Sequence, residues 1–471
     1  MEILAESHSQ KKKSRRLLLF PLPLEGHMNP MLHLAKILYS EGFSITILHT
    51  NFNSPNPSDH PYFTFCSIPE GLSETEAATY DEDVIATVSA MNVRCADPFR
   101  DCLANLLSGD LKEPVACLIT DAVWDFIGAV AASFKLPWIA LPTSNISSFL
   151  FCDAYPYLRD KGYMATKDSL LNEAVPELPL LEVEDVPELP PLSIKDMPEI
   201  ETGNPDDFFH LIANMFNKPK SSSGMIWNSF EELEDAALLK CHEVFRVRQF
   251  VIGPSHKYFQ VPSSSSLISQ DKNSISWLDK QEPNSVLYIS FGSTGMINEA
   301  DFLEIAWGLA NSKQPFLWVI RPGSVLGSEW LEHLPNEFYH MAPERGCIVK
   351  WAPQLEVLAH PATGGFWTHC GWNSTLESIS EGVPLICWPF FGDQKINARY
   401  ATDVWKIGIH LEHKLERGEI EKAIKRLMVG TEGKEIRERI MCLKEKVDIC
   451  LNKGGSSYQS LHSLVSYILS F

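Results

Sequence analysis

The chain has 471 residues, 45% hydrophobic and 21% charged, which is enough for two or three ordinary domains and too balanced for a disordered or fibrous protein. A formal net charge of −20 opposes nucleic acid and anionic membrane surfaces, so small molecules are the expected partners and no nucleic acid is. A phosphate ligand would then need a local site of backbone N–H groups at a helix N-terminus.

KKKSRR at 11–16 followed by LLLFPLPL imitates a signal peptide, but the apolar run is short, carries two prolines and lacks a small-residue cleavage site. It reads instead as a first buried strand at 17–20. Further apolar runs at 44–48, 62–68, 115–120, 137–141 and 224–229 read as strands, with helices near 31–41, 84–108, 124–134 and 145–160. The stretch at 175–200, rich in proline and acid, is expected to be an irregular surface excursion. A Ser-rich linker at 261–273 precedes a second series of strands at 286–291, 315–320, 347–350, 364–369 and 384–388. Strands alternating with helices imply two doubly wound α/β sheets, and the helices from about 432 onward are expected to pack back across them. Eleven cysteines without a CxxC pair argue against a disulfide framework or zinc ribbon and fit a reduced, cytoplasmic protein. No apolar stretch approaches the roughly 20 residues of a membrane helix.

The most informative segment is 351–394, WAPQLEVLAHPATGGFWTHCGWNSTLESISEGVPLICWPFFGDQ. A strand feeds the turn CGWNS, and a capping box of Ser374 and Glu377 predicts a helix starting at about Ser374. The carboxyl end of a parallel strand is where ligands bind in such sheets, and a helix N-terminus there can hold a diphosphate through its N–H groups. His369, Asn373 and Ser374 are the natural phosphate contacts.

This segment, with its order of Trp, Gln, His, GWNS, Glu and a final Asp-Gln, resembles the signature box of plant secondary-product UDP-glycosyltransferases of glycosyltransferase family 1. FPLPLEGHMNP, WNSFEELE at 227–234, VIGP at 251–254 and SVLYISFGS at 285–293 resemble the same family, so the likeness covers nearly the whole chain. It looks closest to the group containing iridoid, cytokinin and diterpenoid glucosyltransferases. The resemblance implies a GT-B fold, two Rossmann-like domains facing across a cleft: an acceptor-binding domain at 1–255, a linker at 256–273, a UDP-sugar-binding domain at 274–450, and a C-terminal helix at 451–471 returning to the first. It further implies that Trp351 stacks on uracil, the Ala352 backbone pairs with its edge, and Glu377 takes the ribose diol. Ser293, His369, Asn373 and Ser374 would hold the diphosphate, and Trp372, Asp393 and Gln394 the sugar hydroxyls. Gln354, Gly371 and Thr143 complete the donor set. The resemblance also implies glucose rather than galactose, xylose or glucuronic acid, because in that family a glutamine such as Gln394, rather than histidine, at the end of the box goes with glucose.

Sugar transfer to a hydroxyl requires a base, and a neutral histidine serves near pH 7. Of the 15 histidines, His27 lies in GHMNP directly after the first strand, where the family has its catalytic histidine. Asp121, at the end of the strand at 115–120, is expected to orient it, ahead of Asp125 four residues on. In-line displacement would invert the donor to a β-glucoside. Asp81-Glu82-Asp83 spells the D-x-D of metal-dependent transferases but precedes the helix at 84–108, so it reads as a helix cap, and no metal is expected. A non-catalytic binder would be expected to lack His27 or Asp121, and a Rossmann oxidoreductase would need a GxGxxG that GHMNP cannot supply. Trp124, Phe149 and Phe391 are candidates for a lipophilic acceptor pocket, for a terpenoid, iridoid, phenolic or cytokinin. A monomer is expected.

Overall fold

The computed structural model describes residues 15–73, 83–109, 113–160, 202–259, 270–341, 345–412 and 414–471. The excursion at 175–200, most of the Ser-rich stretch, and Asp81 and Glu82 lie outside these residues. The described residues form two compact units. One takes those up to 160, from 202 to Tyr258, and Cys450–Phe471; the other takes those from Phe259 to Ile449.

The first unit holds strands β1 (Arg16–Phe20), β2 (Ser44–Thr50), β3 (Thr64–Ile68), β4 (Val115–Asp121), β5 (Trp138–Leu141), β6 (Gly224–Trp227) and β7 (Arg248–Val251). They pair in parallel in the order β3-β2-β1-β4-β5-β6-β7. The central strands are nearly continuous apolar runs because helices cover both faces: Leu17, Leu18, Leu19 and Phe20 have no exposed surface. The second unit holds β8 (Val286–Ser290), β9 (Phe316–Val319), β10 (Gly346–Val349), β11 (Thr363–Thr368), β12 (Leu385–Cys387) and β13 (Gly408–His410), again all parallel, in the order β10-β9-β8-β11-β12-β13. In each sheet the chain order reverses beside the first strand, between β1 and β4 and between β8 and β11. Such a switch point opens a crevice at the carboxyl ends of the two strands.

Strands β7 and β13 were not expected from the sequence: β7 reads RQFV, half of it polar, and β13 reads GIH, with one apolar residue. The first helix spans Glu25–Ser40, six residues earlier than its apolar pattern suggested, and runs through Pro30, which has no N–H to give to the ladder. The helix expected at 145–160 is divided into Ile146–Phe151, a 3₁₀ turn at Cys152–Ala154 and Tyr155–Asp160. The last helix, Ser456–Ser470, belongs to the first unit: Ser457 Oγ donates to the Gly253 carbonyl (2.7 Å) and the Tyr467 hydroxyl to that of Ser223 (2.9 Å). Among the described residues no helix is long and apolar enough to cross a membrane.

Candidate functional site

Three neighbouring strands of the first sheet bring His27, Asp121 and Thr143 together. His27 lies in the first turn of Glu25–Ser40, just after β1; Asp121 is the last residue of β4; Thr143 follows β5 by two residues. His27 Nδ1 lies 2.6 Å from Asp121 Oδ2, and Thr143 Oγ1 lies 2.9 Å from the same nitrogen. The Asp121 side chain is wholly buried, whereas that of His27 keeps 24% of its surface. The other carboxylate oxygen of Asp121 accepts the Val123 N–H at 3.0 Å, so both oxygens are engaged. A carboxylate only accepts, so the proton of this pair sits on Nδ1 and the lone pair of the neutral ring on Nε2. A ring so held can take a proton and have the resulting charge stabilised. Asp125, the alternative carboxylate, instead accepts from Asn214 Nδ2 at 2.9 Å, and burial raises its pKa.

In the second unit the turn after β8 meets the turn after β11. Gly292 has a left-handed φ of +77°, and a Cβ there would lie 2.6 Å from His369 Nε2; one on Gly371 would lie 2.5 Å from it. Two glycines therefore make room for this imidazole. Cys370, between His369 and Gly371, is itself left-handed at φ +63°, held by a bond from its N–H to Thr368 Oγ1 (3.1 Å) and one from Asn397 Nδ2 to its carbonyl (2.9 Å). Burial pushes His369 down to about 4, reinforced by the Arg321 charge and opposed by the nearby Ser290 backbone, so the ring is neutral at pH 7. Its Nδ1 is buried and has no hydrogen-bond partner among the described residues.

The helix after this turn runs from Trp372 to Glu381 with Gly371 as N-cap and no side-chain cap, so the capping box expected at Ser374 is not formed. The helix begins two residues earlier, and Ser374 and Glu377 turn to Gln354. Gln354 Nε2 donates to Ser374 Oγ (2.9 Å) and to Glu377 Oε2 (2.8 Å), while its Oε1 accepts from the Tyr288 hydroxyl (3.2 Å). The first helical bond runs from the Thr375 N–H to the Gly371 carbonyl, so the N–H groups of Trp372, Asn373 and Ser374 lie outside the helical ladder at the positive end of the dipole. Ser293 is partly exposed in the turn after β8. Trp351 is partly buried just beyond β10, its carbonyl accepting the Asp271 N–H (2.8 Å), and Ala352 is buried beside it.

Trp372 is only 3% exposed and packs against Trp405, so its indole serves the core rather than a sugar. Gln394 is buried, and its Oε1 accepts the N–H groups of Phe390 (2.9 Å) and Phe391 (3.2 Å), which leaves its amide NH₂ as the donor end. Asp393 precedes the helix Gln394–Arg399 without capping it; Oδ2 accepts from Asn397 Nδ2 at 3.1 Å. Two acceptor-pocket candidates move to the core. Trp124 has no exposed surface, stacks on Phe20 and donates to the Pro21 carbonyl; Phe149 packs among Phe216, Trp227 and Phe245. Phe391 alone of the three is exposed. Asp83 caps the helix Val84–Ser108 by accepting the Ala86 N–H at 2.8 Å and also takes the Thr202 hydroxyl and the Gly203 N–H. Sequence reasoning missed Tyr288 and Arg321, whose one signal was a polar group within or directly after an apolar strand.

A profile of the family described as "UDP-glucoronosyl and UDP-glucosyl transferase" matches residues 269–446. UDP-glycosyltransferase 76B1 of Arabidopsis thaliana is 51% identical over 456 residues, 97% of this chain and 98% of that protein. Among solved structures, Phytolacca americana UGT2 complexed with UDP-2fluoro-glucose and pterostilbene superposes with a TM-score of 0.78 at 27% identity, covering 97% of this chain and all of that one. A UDP-glucosyltransferase from Polygonum tinctorium capable of glucosylating indoxyl, in a complex with 3,4-dichloroaniline, superposes at 0.80 with 29% identity, covering 98% of this chain and all of that one. With half its residues shared with a plant relative along nearly the full length of both, and with both sheets matching those solved structures, this chain belongs to the plant UDP-glycosyltransferase family and is a glycosyltransferase.

Proposed function

We propose that the enzyme transfers glucose from UDP-glucose to a hydroxyl group of a small lipophilic plant metabolite, inverting the anomeric centre to give a β-glucoside. The observation that carries the reading is the 2.6 Å contact between His27 Nδ1 and the buried Asp121 carboxylate. The acceptor hydroxyl gives its proton to His27 Nε2 as its oxygen attacks the anomeric carbon and the bond to the UDP oxygen breaks. Asp121 balances the imidazolium charge on His27; Thr143 steadies the ring.

Donor recognition is assigned to the second unit. Trp351 stacks on uracil and Ala352 pairs with its edge, while Glu377, set by Gln354, takes the ribose diol. Ser293, His369, Gly371, Asn373 and Ser374 hold the diphosphate with the helix N-terminus behind it, and no metal is required. Asp393 and the Gln394 amide take the sugar hydroxyls, with the Trp372 backbone in place of its buried indole. The UDP-2fluoro-glucose in the Phytolacca americana relative and the glucosyltransferase activity of the Polygonum tinctorium one support glucose, and pterostilbene in the former supports a lipophilic, hydroxyl-bearing acceptor. Phe391 is the exposed apolar side chain offered to such an acceptor. The protein is assigned to the cytoplasm as a monomer.

The test is a screen of hydroxylated acceptors with UDP-glucose, UDP-galactose and UDP-glucuronic acid, read by mass spectrometry and by the anomeric proton coupling of the product. Glucose should be preferred and the product should be β. A higher kcat/KM with either other donor refutes the glucose assignment, and an α product refutes the single displacement.

A further inference from the structure

Arg321 lies two residues beyond β9 and reaches across to the turn after β8, its neighbour in the sheet. Its Nε donates to the Gly292 carbonyl at 2.9 Å and its Nη2 to the Gly295 carbonyl at 2.7 Å. The turn it grips has no slack: Gly292 is left-handed and pressed on the His369 ring, and a Cβ on Gly295 would lie 2.6 Å from the Phe291 carbonyl oxygen.

The peptide plane decides what this grip does. In a trans peptide the C=O of one residue and the N–H of the next point in opposite directions. With the Gly292 carbonyl turned to Arg321, the Ser293 N–H of the same plane is turned away from it. Were that plane to flip, a carbonyl would take the place of the N–H and repel an anion instead of binding it. The guanidinium also sets a fixed positive charge behind the turn, in a chain whose net charge of −20 otherwise opposes anions.

We propose that Arg321 is a positioning residue of the diphosphate site: by holding the Gly292 and Gly295 carbonyls it keeps the Ser293 N–H turned outward to the diphosphate of the UDP-sugar, and it backs that turn with a cation. This rests on the reading of Ser293, His369 and the Trp372–Glu381 N-terminus as the place of the diphosphate. These two bonds of Arg321 go to the Gly292 and Gly295 carbonyls, so on that reading its effect belongs to the charged part of the donor alone.

The experiment is calorimetric binding of UDP and of uridine to the full-length enzyme and its Arg321→Met, Arg321→Lys and Ser293→Ala variants, with melting curves to check folding. Arg321→Met should weaken UDP roughly tenfold or more, as expected for loss of charge-assisted hydrogen bonds, with uridine within about twofold of the parent. Arg321→Lys, which keeps the charge but not the two-pronged grip, should fall between, and it decides the matter if the Met variant does not fold. Equal losses for UDP and uridine would show a merely structural role and overturn the proposal. Unchanged UDP affinity at Arg321 with a loss in Ser293→Ala overturns it too, while leaving the diphosphate reading standing. If neither position discriminates UDP from uridine, the diphosphate reading itself is wrong and the proposal falls with it.

Discussion

Replacing Asp121 by asparagine tests the proposed base through its partner. Both carboxylate oxygens accept, one from His27 Nδ1–H and the other from the Val123 N–H. Asparagine has a single acceptor oxygen. If that oxygen faces Val123, the amide NH₂ is turned against His27 and forces the ring proton onto Nε2, removing the lone pair the acceptor needs. If it faces His27, the NH₂ is set against the Val123 N–H in a wholly buried place, and the imidazolium formed in the reaction still loses its counter-charge. Unit charges about 4 Å apart at an effective dielectric near 20 interact by about 4 kcal/mol. Discounted for the exposed part of His27, roughly 3 kcal/mol remains, a fall in kcat of about a hundredfold or more. Single-turnover rates with a saturating aliphatic alcohol and UDP-glucose measure it, and UDP affinity should stay near that of the parent because the assigned donor contacts lie in the other unit. His27→Ala should fall at least as far, and the double variant little further, because the two residues act as one. A folded Asp121→Asn enzyme with near-normal turnover would falsify the role given to Asp121.

With a phenol, whose proton is already acidic, His27→Ala should lose less than with an aliphatic alcohol in the same kinetic assay; an equal loss would mean that His27 is not the base. Activity should survive EDTA and be unaltered by Asp83→Asn, since the Asp83 carboxylate is engaged with Ala86, Thr202 and Gly203; loss restored by a divalent cation would refute metal independence. Phe149→Ala should lower stability by about 3–5 kcal/mol in denaturant titration, as for a large aromatic side chain removed from a core. Normal stability with a weakened acceptor KM would instead return Phe149 to the acceptor pocket. Burial holds His33 at about 3 and His60 at about 4, with the Lys36 charge adding to both. The unfolded chain protonates them near 6.5, so it binds more protons than the folded one below that pH. Their stabilisation is therefore present above about 6.5 and lost as pH falls toward 4, at up to about 1.4 kcal/mol per pH unit for the fully buried His33 and less for His60, which solvent screens in part; melting curves from pH 7.5 to 4.5 should register a steady fall.

Local sequence carried the parts of the fold that depend on local patterning. Short runs rich in apolar, β-branched and aromatic residues make buried parallel strands, and those at β1, β4, β8 and β11 were read within a residue or two. The segment 351–394 was informative for the same reason: its turn and helix start are set by neighbours in the chain. Even there the helix begins at Trp372 rather than Ser374, because Gln354, about twenty residues away in sequence, draws both members of the expected capping box into its own hydrogen bonds. What pattern could not decide was where a buried side chain ends up once the sheets are covered. An aromatic residue after a strand looks alike whether it lines a pocket or fills a core, and packing against Phe20 and Phe216 sent Trp124 and Phe149 inward. His27 and Asp121 are 94 positions apart and Thr143 a further 22; that they meet follows from strand order, which set β1 beside β4 and β4 beside β5. Arg321 reaches the Gly292 turn for the same reason, β9 lying next to β8. Residue type and local spacing therefore named the chemistry the chain has available, but only hydrogen bonding between strands distant in sequence brought those groups within 3 Å of one another.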